Sequence, residues 1–249
     1  MAGHSHSANI ARRKNAVDAK RAKIFSKCAR HIMSAVRTGG PDPDANLKLR
    51  YAIEKARAEN MPKENIERAI KRASGEGAGD LEELNYEGYA PGGVALIVNC
   101  LTDNRNRTAP DIKYIFEKRG GNLGAQGSVA FLFDFRSTYV VETGGKDEEA
   151  VFEAALEAGA EDVEYDGELA TIFADPTEFL AVKGALEGAG FTFLSAETAY
   201  VPQNRIEVGT KEDAKKILAL IDALEDNDDV QSVYANHDIP GEWLDELAG

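Results

Sequence analysis

Cysteine occurs only twice in the 249 residues, at Cys28 and Cys100. Two thiols cannot build the disulfide framework of a small secreted domain, and they fit a reducing cytoplasm. Long apolar runs are missing as well. The longest, residues 93–101, has the length of a strand and falls short of the roughly 18 residues a membrane span needs. No apolar leader segment stands at the start, so the expectation is a cytoplasmic chain with no membrane contact. The first 37 residues, rich in Lys and Arg, would also suit an organelle transit peptide, but their ordered helical pattern argues against it. Histidine is sparse. His4 and His6 have no Cys or acidic partner at ligand spacing, so no metal site is expected. Nucleophile elbow, Walker loop and kinase signature are all lacking, and the carboxylates between Asp147 and Glu168 show no paired spacing. The sequence therefore predicts no catalytic residue, no cofactor and no small-molecule substrate. Cys28 and Cys100 read as core residues.

What is present is charge, unevenly spread. The net charge is -14, yet residues 1–72 carry 17 Lys and Arg against 7 Asp and Glu, a balance of +10. Residues 73–249 carry 12 against 36, a balance of −24. A basic segment on an acidic remainder points to a nucleic-acid contact at one end. The acidic part repels phosphates and limits non-specific binding. The competing reading is that both charged surfaces are simply solvated.

The pattern along the chain divides it. Residues 1–74 read as helical. In a helix over residues 18–37, a turn of 100° per residue puts Phe25, Cys28, Ala29, Ile32 and Val36 on one face. Lys20, Lys23, Lys27 and Arg30 fall on roughly the opposite one. A second helix is expected to be capped by Asp42 or Asp44 and to run to about Glu59, with Leu49, Ile53 and Ala56 inward. A third starts at Pro62, with Ile66, Ala69 and Ile70 inward. Residues 74–80, SGEGAGD, read as a linker rather than a phosphate loop, since no strand precedes them. Beyond them strands and helices alternate: strand 93–102, helix 108–118 and strand 128–135. Next comes a β-α-β-β-α-β series over residues 138–200, the order of a ferredoxin-like unit. Strand 206–208, helix 211–224 and strand 230–235 remain. They are too few for a domain and are expected to pair back with residues 81–133, making the ferredoxin-like unit an insertion.

Two segments carry candidate nucleic-acid contacts. The first is the basic arm and opening helix: Asn9, Arg12, Arg13, Lys14, Lys20, Arg21, Lys23, Lys27 and Arg30. Lys and Arg neutralise phosphates and release counterions; Arg and Asn can also read base edges. The second is Asn104, Arg105, Asn106 and Arg107 within TDNRNRT, a polar loop at a helix N-terminus, where free amides favour anions. An ordinary helix cap by Asp103, Asn104, Asn106 or Thr108 explains the same residues.

These motifs are also familiar. MAGHSHSANIARRK, DAKRAKIFSK, GGPDPDANLKLRYAIEKARAENMPKENIERAIKRASGE, YEGYAPGGVALIV, LTDNRNRTAPDI and GGNLGAQGSVAFLF resemble the YebC family in order over the whole chain. The resemblance implies an α+β multi-domain protein. A basic three-helix bundle occupies residues 1–78, and a discontinuous α+β domain occupies 79–135 and 203–249. A ferredoxin-like domain, residues 136–202, is inserted in the latter. It also implies a DNA-binding transcriptional regulator without catalysis, with the basic opening and the 104–107 loop as contact residues. Some members act instead in translation, associated with rRNA and the ribosome, where relief of stalling at proline-rich stretches is the implied role. This sequence departs from the family at His6-Ser7, where Lys-Trp is common, at Ala11, where Lys is common, and at Ala22, where Gly is common. Loss of the Trp removes a stacking platform for a base.

Overall fold

The first element that the computed structural model describes is helix α1, Arg21–Gly39; the described residues are 21–75 and 81–247. Cys28, Ile32, Ala35 and Val36 of α1 are buried against α2, Leu47–Ala58, and α3, Lys63–Ala73. The inner faces of α2 and α3 supply Leu49, Ala52, Ile53, Ala56, Ile66, Ala69 and Ala73. All buried members of this core lie between residues 28 and 73, so the bundle buries its apolar stripes within itself.

The cap of α2 differs from expectation. Asn46, not Asp42 or Asp44, is the N-cap, and its Oδ1 accepts the Leu49 N–H at 3.1 Å. Asp42 is spent on its own turn, accepting the Asp44 N–H at 3.0 Å. Asn46 also donates to the carbonyls of Ala35 and Gly40, each at 2.8 Å. Only an amide offers the acceptor and the two donors this buried position needs.

The next elements are β1 (Glu82–Tyr89), β2 (Ala95–Thr102), α4 (Arg105–Lys118) and β3 (Asn122–Leu123). β1 and β2 form an antiparallel hairpin, registered from Glu82↔Thr102 to Tyr89↔Ala95. Its turn runs through Pro91-Gly92-Gly93, with φ of 80° and 78° at the two glycines, a backbone region that excludes most side chains. β1 was not foreseen. Its sequence, EELNYEGY, is polar on its exposed positions and lacks the apolar alternation that marks a strand.

The expected strand over residues 128–135 is also different. Residues Ala130–Leu132 form a 3₁₀ turn, and a single strand, β4, runs over Phe133–Glu142. The cause is Glu87, which is buried. Its carboxylate accepts the N–H groups of Gly127 (2.7 Å), Val129 (2.7 Å) and Ala130 (2.8 Å). Donors engaged by a carboxylate are lost to a sheet ladder.

α5 (Glu148–Glu157), β5 (Asp162–Asp166), β6 (Leu169–Ala174), α6 (Phe179–Gly188) and β7 (Thr192–Pro202) follow β4. Their sheet order is β5-β6-β4-β7, the arrangement of a ferredoxin-like unit. Its centre is Tyr139, fully buried, stacked on Phe179 at 5.4 Å and donating to the Phe179 carbonyl at 2.8 Å.

After this unit come β8 (Ile206–Glu207), α7 (Lys211–Glu225), β9 (Val230–Ala235), β10 (His237–Asp238) and α8 (Gly241–Leu247). β9 returns to pair antiparallel with β2, from Leu96↔Ala235 to Cys100↔Val230, which completes a sheet of order β3-β1-β2-β9. In chain order, β4 to β7 thus lie between two paired strands of this sheet, β2 and β9. Ile112 and Phe116 of α4 and Ile217, Leu220 and Leu224 of α7 are fully buried. The described residues divide into two compact units, residues 21–133 with 202–238, and residues 134–201 with 239–247. Among them no helix is long and apolar enough to cross a membrane.

Candidate nucleic-acid interface

The basic face of α1 follows from its periodicity. Lys23, Lys27 and Arg30 are one turn apart and point away from the bundle core. In the folded chain they lie along the C-terminal end of α7 and the acidic turn after it, residues 225–229. Lys23 Nζ donates to the Asp226 carbonyl and pairs with its carboxylate at 3.2 Å. Lys27 Nζ donates to the Glu225 carbonyl at 3.1 Å. Arg30 Nη1 donates to the Leu101 carbonyl at 3.0 Å and to Asp229 Oδ1 at 2.8 Å. Ammonium groups at a helix C-terminus satisfy its free carbonyls and complement its dipole.

Asp229 is the hub of this cluster. Its side chain is only 5% exposed. Besides Arg30 it accepts from Arg107 Nη2 at 2.7 and 3.0 Å, from Thr108 Oγ1 at 2.8 Å and from Thr102 Oγ1 at 3.4 Å. Burial pushes this carboxyl's pKa up, but the hydrogen bonds from Arg30, Arg107 and Thr108 and the charge of Arg107 outweigh it and hold it below the ordinary aspartate value. Arg107 also pairs with Asp103 at 3.0 Å. Glu87 is held low in the same way, its three backbone N–H donors overcoming burial.

The 104–107 loop divides its roles. Asn104 is the N-cap of α4 and accepts the Arg107 N–H at 3.2 Å, so the cap reading holds for that residue. Arg107 is turned to Asp229. Arg105 and Asn106 are exposed, and Pro110, with no N–H, leaves the Asn106 carbonyl without its helical partner.

Asn9, Arg12, Arg13, Lys14 and Lys20 lie outside the described residues, as does the side chain of Arg21. Among the described residues, the exposed bundle cations whose side chains make no hydrogen bond or ion pair are Lys48, Arg50, Arg68, Lys71 and Arg72. At 100° per residue, Arg68, Lys71 and Arg72 fall within about 100° of arc on the face of α3 opposite Ile66 and Ala69. The motif reading passed over these five. The only signal for them was the +10 balance of residues 1–72, which already included them.

The buried thiols have no reactive character. Burial pushes Cys28 up to about 11 and Cys100 to about 12. Among the described residues no group of three or more His, Cys, Asp or Glu is placed to hold a metal ion.

Comparison with known proteins agrees with this layout. Residues 5–76 match the TACO1/YebC protein N-terminal domain, and residues 81–237 match the TACO1/YebC second and third domain. The chain belongs to the TACO1/YebC family. It is 52% identical over 251 residues to a protein of Rubrobacter xylanophilus named "probable transcriptional regulatory protein", with 100% of both chains covered. A protein of Moorella thermoacetica with the same name is 50% identical, with 99% of both chains covered. Among solved structures it is similar to a conserved hypothetical protein of Aquifex aeolicus, with a TM-score of 0.80 and 47% identity. That match covers 90% of this chain and 93% of the other.

Proposed function

We propose that this protein is a nucleic-acid-binding transcriptional regulator that acts in the cytoplasm by binding, without catalysis or cofactor. The observation that carries the reading is the concentration of unpaired cations on the helical bundle, above all Arg68, Lys71 and Arg72, against an otherwise acidic chain. Lys48 and Arg50 extend that surface. The arm residues Asn9, Arg12, Arg13, Lys14, Lys20 and Arg21, and Arg105 with Asn106, are assigned to the same interface. The names of the full-length relatives support transcription as the process. The division into residues 1–78, 79–135 with 203–249, and 136–202 belongs to the same proposal, with the first segment as the binding domain.

The test is a mobility-shift titration over a salt series with wild type and an Arg68→Ala, Lys71→Ala, Arg72→Ala triple variant. DNA affinity falls at every sequence, and the salt slope becomes shallower by about one for each cation that touches a phosphate. Unchanged DNA affinity in the triple variant refutes the surface. Co-sedimentation with ribosomes at about physiological salt, with no discrete DNA shift, replaces transcription by translation.

A further inference from the structure

We infer that the acidic turn at residues 225–229 is a built-in competitor for nucleic acid, holding the basic face of α1 until a phosphate backbone displaces it. The inference rests on the proposed nucleic-acid-binding function and adds to it a second, regulated face, that of α1 on the same bundle.

Three cations of one helix face, Lys23, Lys27 and Arg30, all donate to oxygens of one short segment. Four of its five residues, Glu225, Asp226, Asp228 and Asp229, are acidic. These carboxylate and carbonyl oxygens occupy the donors that phosphate oxygens would take. Nucleic acid and the turn therefore cannot hold this face together, and the observed affinity is the intrinsic one reduced by the fraction of molecules with the face released.

Two features make the contact reversible. The bundle has its own apolar core, whose buried members all lie between Cys28 and Ala73, so α1 can leave the turn with α2 and α3 as one body. The buried carboxylate is also not abandoned. When Arg30 leaves, Asp229 keeps Arg107 and Thr108 as donors, so no uncompensated buried charge is left behind. Asp226, by contrast, is 66% exposed and is rehydrated at once.

The test uses the full chain with Lys23→Cys and Asp226→Cys, stapled by a short cleavable bismaleimide. Cys28 and Cys100 are buried and stay unmodified. Binding of a fluorescein-labelled duplex DNA and a labelled single-stranded RNA, each of about 20 nucleotides, is read by anisotropy at about 0.15 M salt. The stapled protein binds its probe about tenfold or more weakly than the same protein after cleavage. An Asp226→Asn variant, which keeps the fold, binds about two- to fivefold more tightly than wild type, the worth of one exposed ion pair. Equal affinity of stapled and cleaved protein, with wild type binding normally, overturns the competition and leaves the proposed function standing. Absence of binding by every form to both probes overturns the proposed function and the competition with it.

Discussion

Replacing Asp229 by Asn tests whether the charged cluster holds this part of the molecule together. The carboxylate is almost wholly buried and accepts from two guanidinium groups and a threonine hydroxyl. The asparagine keeps the shape and one acceptor oxygen, but it loses the charge and brings an amide donor against the two guanidinium groups. Truncating one partner of a fully buried ion pair costs about 3–5 kcal/mol. Here the cations reach water, Arg30 being 27% and Arg107 46% exposed, so the cost falls to about 2–3 kcal/mol. For a unit of about 150 residues that corresponds to a fall in Tm of about 5 to 10 °C. The assay is urea and thermal unfolding of wild type, Asp229→Asn, Arg30→Met and the double variant. The cycle gives a coupling of at least about 1 kcal/mol between Asp229 and Arg30. The pH dependence has a defined sign. Because the folded carboxyl titrates below its unfolded value of 3.8, its stabilisation is present above about pH 4 and disappears as pH falls through the folded value. The cost of the variant shrinks in the same window. A loss under about 0.5 kcal/mol at neutral pH, or a coupling near zero, refutes the reasoning.

Other residues give independent checks. Glu87→Gln leaves at least one of three buried N–H groups facing an amide donor and costs about 2 kcal/mol or more by chemical unfolding; an unchanged urea midpoint contradicts the assigned role of the carboxylate. Gly88→Ala places a Cβ 2.6 Å from the Asn122 carbonyl oxygen and 2.8 Å from the Phe116 ring, so it destabilises by about 1–3 kcal/mol through overpacking, seen as a lowered Tm. His31 is held neutral by burial and by the charges of Lys55 and Lys27, which lower its pKa from 6.5 to about 3. Stability attributable to it is complete above the unfolded value and is lost as pH falls below 6.5, about 1 kcal/mol between pH 7.5 and 5.5. A His31→Leu variant removes that slope, and a slope identical to wild type rules His31 out as its source.

Much of the layout was legible in the residues themselves. A helix that buries one stripe must repeat its apolar residues every three or four positions, and α1, α2 and α3 do so. The apolar run of β2 and the Asp166-Gly167 hairpin likewise state local structure through local chemistry. β1 was not legible, because its register comes from its neighbours β2 and β3 and its own side chains are half polar. The 3₁₀ turn before β4 was equally hidden, since the carboxylate that shapes it comes from Glu87, about 40 residues earlier.

The same division governs the candidate interface. The sequence by itself determined the charge asymmetry, the basic face of α1 and a polar cap somewhere within residues 103–108, because each depends on composition or on spacing within one turn; the structure selected Asn104. Only the tertiary structure decided which cations are taken and which stay free. Lys23 meets Asp226 from 203 residues away, and Arg30 meets Asp229 from 199. A charge carries no local mark of its partner; pairing is set by the packing of elements that buries some carboxylates beside a cation and leaves Arg68, Lys71 and Arg72 facing water.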